Sequence, residues 1–117
     1  MLKVLVVEDE ALIRMTVIDA LEDAGFEVVE AASADEAIDI IDKEIIHVLF
    51  TDIQMPGQLT GVDLAHATAN RFPDAGIVVV SGRLIASDID LPPKAEFFPK
   101  PYSITKIVDR LKAMSHK

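Results

Sequence analysis

The chain has 117 residues, half of them hydrophobic, with no cysteine and a net charge of −9. That length suits one domain, spanning residues 1–117, with a core that needs no staples. The missing cysteines exclude a disulfide scaffold, a thiolate zinc site and a cysteine nucleophile, and they fit a reducing cytoplasm, so a cytoplasmic chain is expected. The acidic balance argues against a nucleic-acid partner and suits a metal site or a basic partner surface.

In chain order, Leu2 to Val7 is an apolar, Val-rich run with one lysine, which predicts a strand buried on both faces. It is too short to cross a membrane and has no small-residue cleavage site, so neither a targeting segment nor membrane insertion is expected. Leu12, Ile13, Val17, Ile18 and Leu21 recur at helical spacing, and Gly25 ends that helix. Phe26 to Ala31 predicts a second strand. Ser33 and Glu36 match a capping box opening a helix with Ala37, Ile38 and Ile41 inward. His47 to Thr51 predicts a third strand, Gly61 to Phe72 a helix closed by Pro73, and Ile77 to Val80 a fourth strand. A helix over Arg83 to Asp88 is short or irregular at best, since Pro92 and Pro93 limit it. Ala95 to Phe98 predicts a fifth strand, and Pro99, which cannot donate to a ladder, places it at a sheet edge. Ile104, Ile107, Val108, Leu111 and Met114 predict a last helix, with Ser103 as its N-cap.

Strands alternating with helices imply βαβ units, a parallel sheet and right-handed crossovers. Ligands of such sheets bind beyond the carboxyl ends of the strands. This sequence puts Glu8 and Asp9 after the first strand, Asp52 at the end of the third, Ser81 and Gly82 after the fourth and Lys100 after the fifth. Three carboxylates on one rim repel one another, and a hard divalent cation with oxygen ligands offsets that repulsion. A carboxylate beside Mg²⁺, with Lys and Ser nearby, can attack a phosphoryl group and become an aspartyl phosphate. Alone, each group has a plainer reading. Asp52 is then a turn residue, Glu8-Asp9-Glu10 an acidic helix start, Ser81-Gly82 a loop and Lys100 a solvated lysine. Only their convergence outweighs these readings. Phe97 and Phe98 read as packing residues, one of which can also switch. His47, His66 and His116 have no ligand spacing.

The motifs "VLVVEDE" at 4–10, "TDIQMPG" at 51–57, Gly61, "VVVSG" at 78–82 and "FFPKPY" at 97–102 resemble, in this order and over the whole chain, the receiver domain of two-component response regulators. The resemblance implies an α/β flavodoxin-like (βα)₅ fold with strand order 2-1-3-4-5. It implies a stand-alone receiver in phosphorelay signal transduction, taking a phosphoryl group from the phosphohistidine of a sensor histidine kinase or a histidine phosphotransfer protein. Output then passes to a downstream protein, from a monomer or a phosphorylation-dependent dimer. By position, Asp52 matches the phosphoacceptor. Glu8, Asp9, Asp52 and the backbone carbonyl of Gln54 match the ligands of Mg²⁺, which Mn²⁺ can replace. Ser81, Lys100 and Phe97 match the phosphoryl-binding and switch positions, Gln54 and Arg83 those that tune hydrolysis. The Lys100-Pro101 bond is cis in such domains. No turnover of a separate substrate is expected.

Three departures stand out: Glu8 where Asp is commoner, one extra residue between Pro56 and Gly61, and a short stretch from Ser81 to Lys100, which bears on the usual signalling surface around the fourth helix. A flavodoxin-type flavin carrier would need a hydroxyl- and glycine-rich phosphate loop where Glu8-Asp9-Glu10 stands. A haloacid-dehalogenase-type phosphatase would need an acid at Gln54. A pseudo-receiver, a binding module that is never phosphorylated, is the alternative that keeps the fold.

Overall fold

The computed structural model describes residues 2–55, 57–82 and 89–115. The elements in chain order are β1 (Lys3–Val7), α1 (Ala11–Asp23), β2 (Glu27–Ala31), α2 (Ala34–Ile41), β3 (Val48–Asp52), α3 (Gly61–Arg71), β4 (Gly76–Ser81), β5 (Glu96–Pro99) and α4 (Ile104–Ser115). The strands pair in parallel in the order β2-β1-β3-β4-β5. This is the flavodoxin-like fold. Pro99 does lie on an edge strand, where its missing N–H costs no ladder bond. The expected helix over Arg83 to Asp88 lies outside the described residues, as do Pro56 and His116.

The apolar runs are continuous because both faces of the sheet are covered. Leu5, Val7, Leu49, Ile77 and Val79 point to one side and pack with Ala37, Ile41, Leu64 and Ala65 of α2 and α3. Val4, Val6, Val48, Phe50, Val78 and Val80 point to the other and meet Val17 and Leu21 of α1 and Ile107 and Leu111 of α4. The period-2 alternation of a strand divides one run between two cores.

The caps agree with the sequence in most places. Ser33 Oγ accepts from Glu36 N, one half of the expected box. Ser103 Oγ accepts from Lys106 N. A reciprocal box, which the sequence reading did not pick out, opens α3: Thr60 Oγ1 accepts from Asp63 N while Asp63 Oδ2 accepts from Thr60 N. Not every apolar residue at helical spacing in the first helix is covered: Leu12 is 81% exposed. The buried stripe of α1 runs through Val17 and Leu21, flanked by Ile13, and Leu12 is turned about 100° from Ile13. Among the described residues no helix is long and apolar enough to cross a membrane.

Candidate functional site

Parallel strands end together, so the polar residues that close β1, β3, β4 and β5 share one rim. Asp52 is the last residue of β3 and is only 5% exposed. Its Oδ1 accepts from Gln54 N at 3.3 Å, and its Oδ2 accepts from Lys100 Nζ at 2.6 Å. Lys100 follows β5, preceding a cis bond to Pro101 as expected. Glu8 follows β1 with its side chain fully buried. Its Oε2 accepts from Glu10 N at 3.1 Å, and its Oε1 lies 3.6 Å from Lys100 Nζ. Asp9 is exposed at the mouth. One oxygen each from Glu8, Asp9 and Asp52 lie within 4.8 Å of one another. Asp9, Glu10, Asp52, Gln54, Met55, Gly82 and Lys100 line a cleft of about 450 Å³.

The rim is held from below. Gly61, the first residue of α3, approaches so closely that a Cβ would stand 2.0 Å from the Asp52 carbonyl oxygen and 2.8 Å from Ile53 Cα. Gly61 N donates to Ile53 O at 2.9 Å, and Ile53 N to Val80 O at 3.0 Å. Only glycine lets α3 start against the strand end that carries Asp52. On the other side Arg14 of α1 donates from Nη1 to Glu8 O at 2.6 Å and from Nε to Glu30 Oε1 at 2.9 Å. It fixes the turn that delivers Glu8 and Asp9.

The electrostatics follow from burial. Loss of water pushes the Glu8 carboxyl up to about 7. Glu10 N and the Lys100 charge work the other way, while Asp9 and Asp52 add to the rise. For Lys100 burial opposes the charge, yet the bond to Asp52 and the charges of Asp52 and Glu8 outweigh it and hold the ammonium above its usual range. Among the described groups, Glu8 Oε1 is a buried acceptor with no hydrogen-bond partner. A fully buried acceptor left over in a cluster of carboxylate oxygens fits a hard cation.

The structure therefore brings Glu8, Asp9, Asp52, Gln54 and Lys100 together. Ser81 ends β4 on the same rim, buried, with its carbonyl accepting from Lys100 N at 2.9 Å. Phe97 sits deeper along β5, half-buried against the α2 and α3 face and outside the cleft lining. Arg83 lies outside the described residues. Arg14 carries no motif and was not singled out from the sequence, whereas Tyr102, which closes the 97–102 motif, packs its ring edge-on against Phe50 at 5.8 Å.

Residues 4–112 match the family described as response regulator receiver domain. The chain is 33% identical to sensor kinase CckA of Brucella abortus over 97% of its own length and 12% of that protein's. It is 29% identical to the response regulator receiver protein CpdR of the same organism, over 97% of both chains. A crystal structure of a response regulator receiver protein from Sinorhizobium medicae superposes with a TM-score of 0.91 at 23% identity, covering 97% of this chain and 94% of that one. The last likeness speaks to the fold, but the family match takes in every candidate residue of the cleft and all five strands save Lys3 at the start of β1. The chain belongs to the response regulator receiver domains of two-component signalling.

Proposed function

We propose that this receiver takes a phosphoryl group onto Asp52 from a phosphohistidine, supplied by a sensor histidine kinase or a histidine phosphotransfer protein. An Asp52 carboxylate oxygen attacks phosphorus. The O–P bond forms, the P–N bond breaks, and the donor imidazole leaves with the electron pair. The observation that carries this reading is the 2.6 Å pair between Lys100 Nζ and Asp52 Oδ2 inside a cluster of three carboxylates. Lys100 places a fixed positive charge where phosphoryl oxygens would gather. Glu8, Asp9, Asp52 and the Gln54 carbonyl would hold Mg²⁺, or Mn²⁺ in its place. When bound, that ion supplies neutralisation of the phosphoryl oxygens.

Hydrolysis returns the switch to its start: water attacks the acyl phosphate, Asp52 is restored and inorganic phosphate leaves. Gln54 at the cleft and Arg83 after β4 would tune that access. Ser81 would bond a phosphoryl oxygen and Phe97 would turn further inward, changing the face around β5 for a protein partner. The chain turns over no separate substrate, and a cytoplasmic setting suits this role. Titration with fluoroberyllate and Mg²⁺, followed by NMR, tests the reading. The wild type should bind only with both present, shifting resonances of Asp52, Ser81 and Phe97, and Asp52→Asn should not bind. Failure of the wild type to bind would leave the pseudo-receiver.

A further inference from the structure

The loop that joins β3 to α3, residues 53–60, carries Gln54 into the cleft. Its two ends are fixed by the strand and by the Thr60–Asp63 box. Between them, a side chain from another element reaches in. Asp35, in the first turn of α2, accepts from Leu59 N through Oδ1 at 3.2 Å. The same oxygen lies 2.6 Å from where a Cβ on Gly57 would stand, and Gly57 has φ +115°. Gly57 and Leu59 therefore close on the Asp35 carboxylate, with the glycine at the point of closest approach. The loop's apolar side chains, Met55 and Leu59, only half-bury against the core.

We infer that Asp35 is a positioning residue for the cleft: its carboxylate ties the β3–α3 loop to α2 and so holds the Gln54 backbone beside Asp52. This rests on the proposed metal role of that backbone. Partners one bond removed from a metal's ligands typically change affinity by about tenfold or more when lost. A tether acting through the loop should give about a five- to tenfold effect.

The test compares wild type, Asp35→Ala, Asp35→Asn and Glu36→Gln. Each is titrated with Mg²⁺ by calorimetry, and amide exchange at Gly57 and Leu59 is followed by NMR without metal. Glu36→Gln removes a charge from the same helix turn without touching the loop, so it controls for the helix dipole and for α2 stability. Asp35→Ala should weaken Mg²⁺ binding five- to tenfold and speed exchange at Leu59. Asp35→Asn keeps an acceptor oxygen and should stay within about threefold of wild type, and Glu36→Gln should match wild type. Should Asp35→Ala fail to fold, Gly57→Ala, which crowds the same oxygen, should weaken Mg²⁺ binding in its place. Unchanged Mg²⁺ affinity in Asp35→Ala or Gly57→Ala, or an equal loss in Glu36→Gln, would overturn the inference. A wild type that binds no Mg²⁺ would instead overturn the reading beneath it.

Discussion

Replacing Glu8 with Gln should stabilise the metal-free protein, and the gain should depend on pH. The Glu8 side chain is fully buried, its Oε1 has no hydrogen-bond partner, and two further carboxylates stand within 4.8 Å. Its carboxyl ionises near 7 in the fold against an ordinary value of 4.5. Because the fold binds this proton more tightly than the unfolded chain does, the associated stability is present below about pH 4.5 and is lost as pH rises through about 7. Over that window the loss amounts to about 3 kcal/mol at 1.4 kcal/mol per pH unit. Solvent screening at the cleft mouth returns part of it, so about 1–3 kcal/mol is expected for Glu8→Gln at pH 8. Urea unfolding in a chelator, followed by circular dichroism at pH 5 and pH 8, measures it. The variant should exceed wild type at pH 8 and approach it at pH 5. Saturating Mg²⁺ should raise wild type more than the variant, by about 2.7 kcal/mol for wild type at a hundred times Kd. A variant no more stable than wild type at pH 8, or a difference independent of pH, would refute the claim that Glu8 is a carboxylate held under tension for a cation.

Three further outcomes follow from the same geometry. Gly61→Ala puts a Cβ 2.0 Å from the Asp52 carbonyl oxygen, so urea unfolding should show a loss of at least about 2 kcal/mol, the upper range for overpacking. Lys100→Ala leaves Asp52 and Glu8 with less countercharge, and at pH 8 without metal it should cost about 1–3 kcal/mol in the same assay. Mg²⁺ affinity should rise with pH between 5 and 7, up to about tenfold per unit, since binding must displace the Glu8 proton; calorimetry across that range reads the slope.

The fold was legible because its strands are buried on both faces. Val4 to Val7, Val48 to Phe50 and Ile77 to Val80 stand out as apolar runs, and each stops where a polar residue reaches the rim. That is why Glu8, Asp9, Asp52 and Lys100 could be placed together from positions far apart in the chain. What the sequence concealed depends on long-range contact. Leu12 fits a helical stripe, but only the docking angle of α1 decides which edge of that stripe is covered. Arg14 looks like a solvated helix residue until its Nη1 is found on the Glu8 carbonyl. Asp35 looks like a charge at a helix start, and its partner lies 24 residues away. Thr60 with Asp63 was readable as a box, though the usual signature calls for Glu or Gln at that third position.

The most direct test of the central claim is intact mass after brief exposure to Mg²⁺ and a small phosphodonor such as acetyl phosphate, with Asp52→Asn alongside. One phosphoryl adduct is expected on the wild type, dependent on Mg²⁺ and absent from Asp52→Asn. An adduct of equal yield on Asp52→Asn, or one formed equally well in a chelator, would contradict that claim.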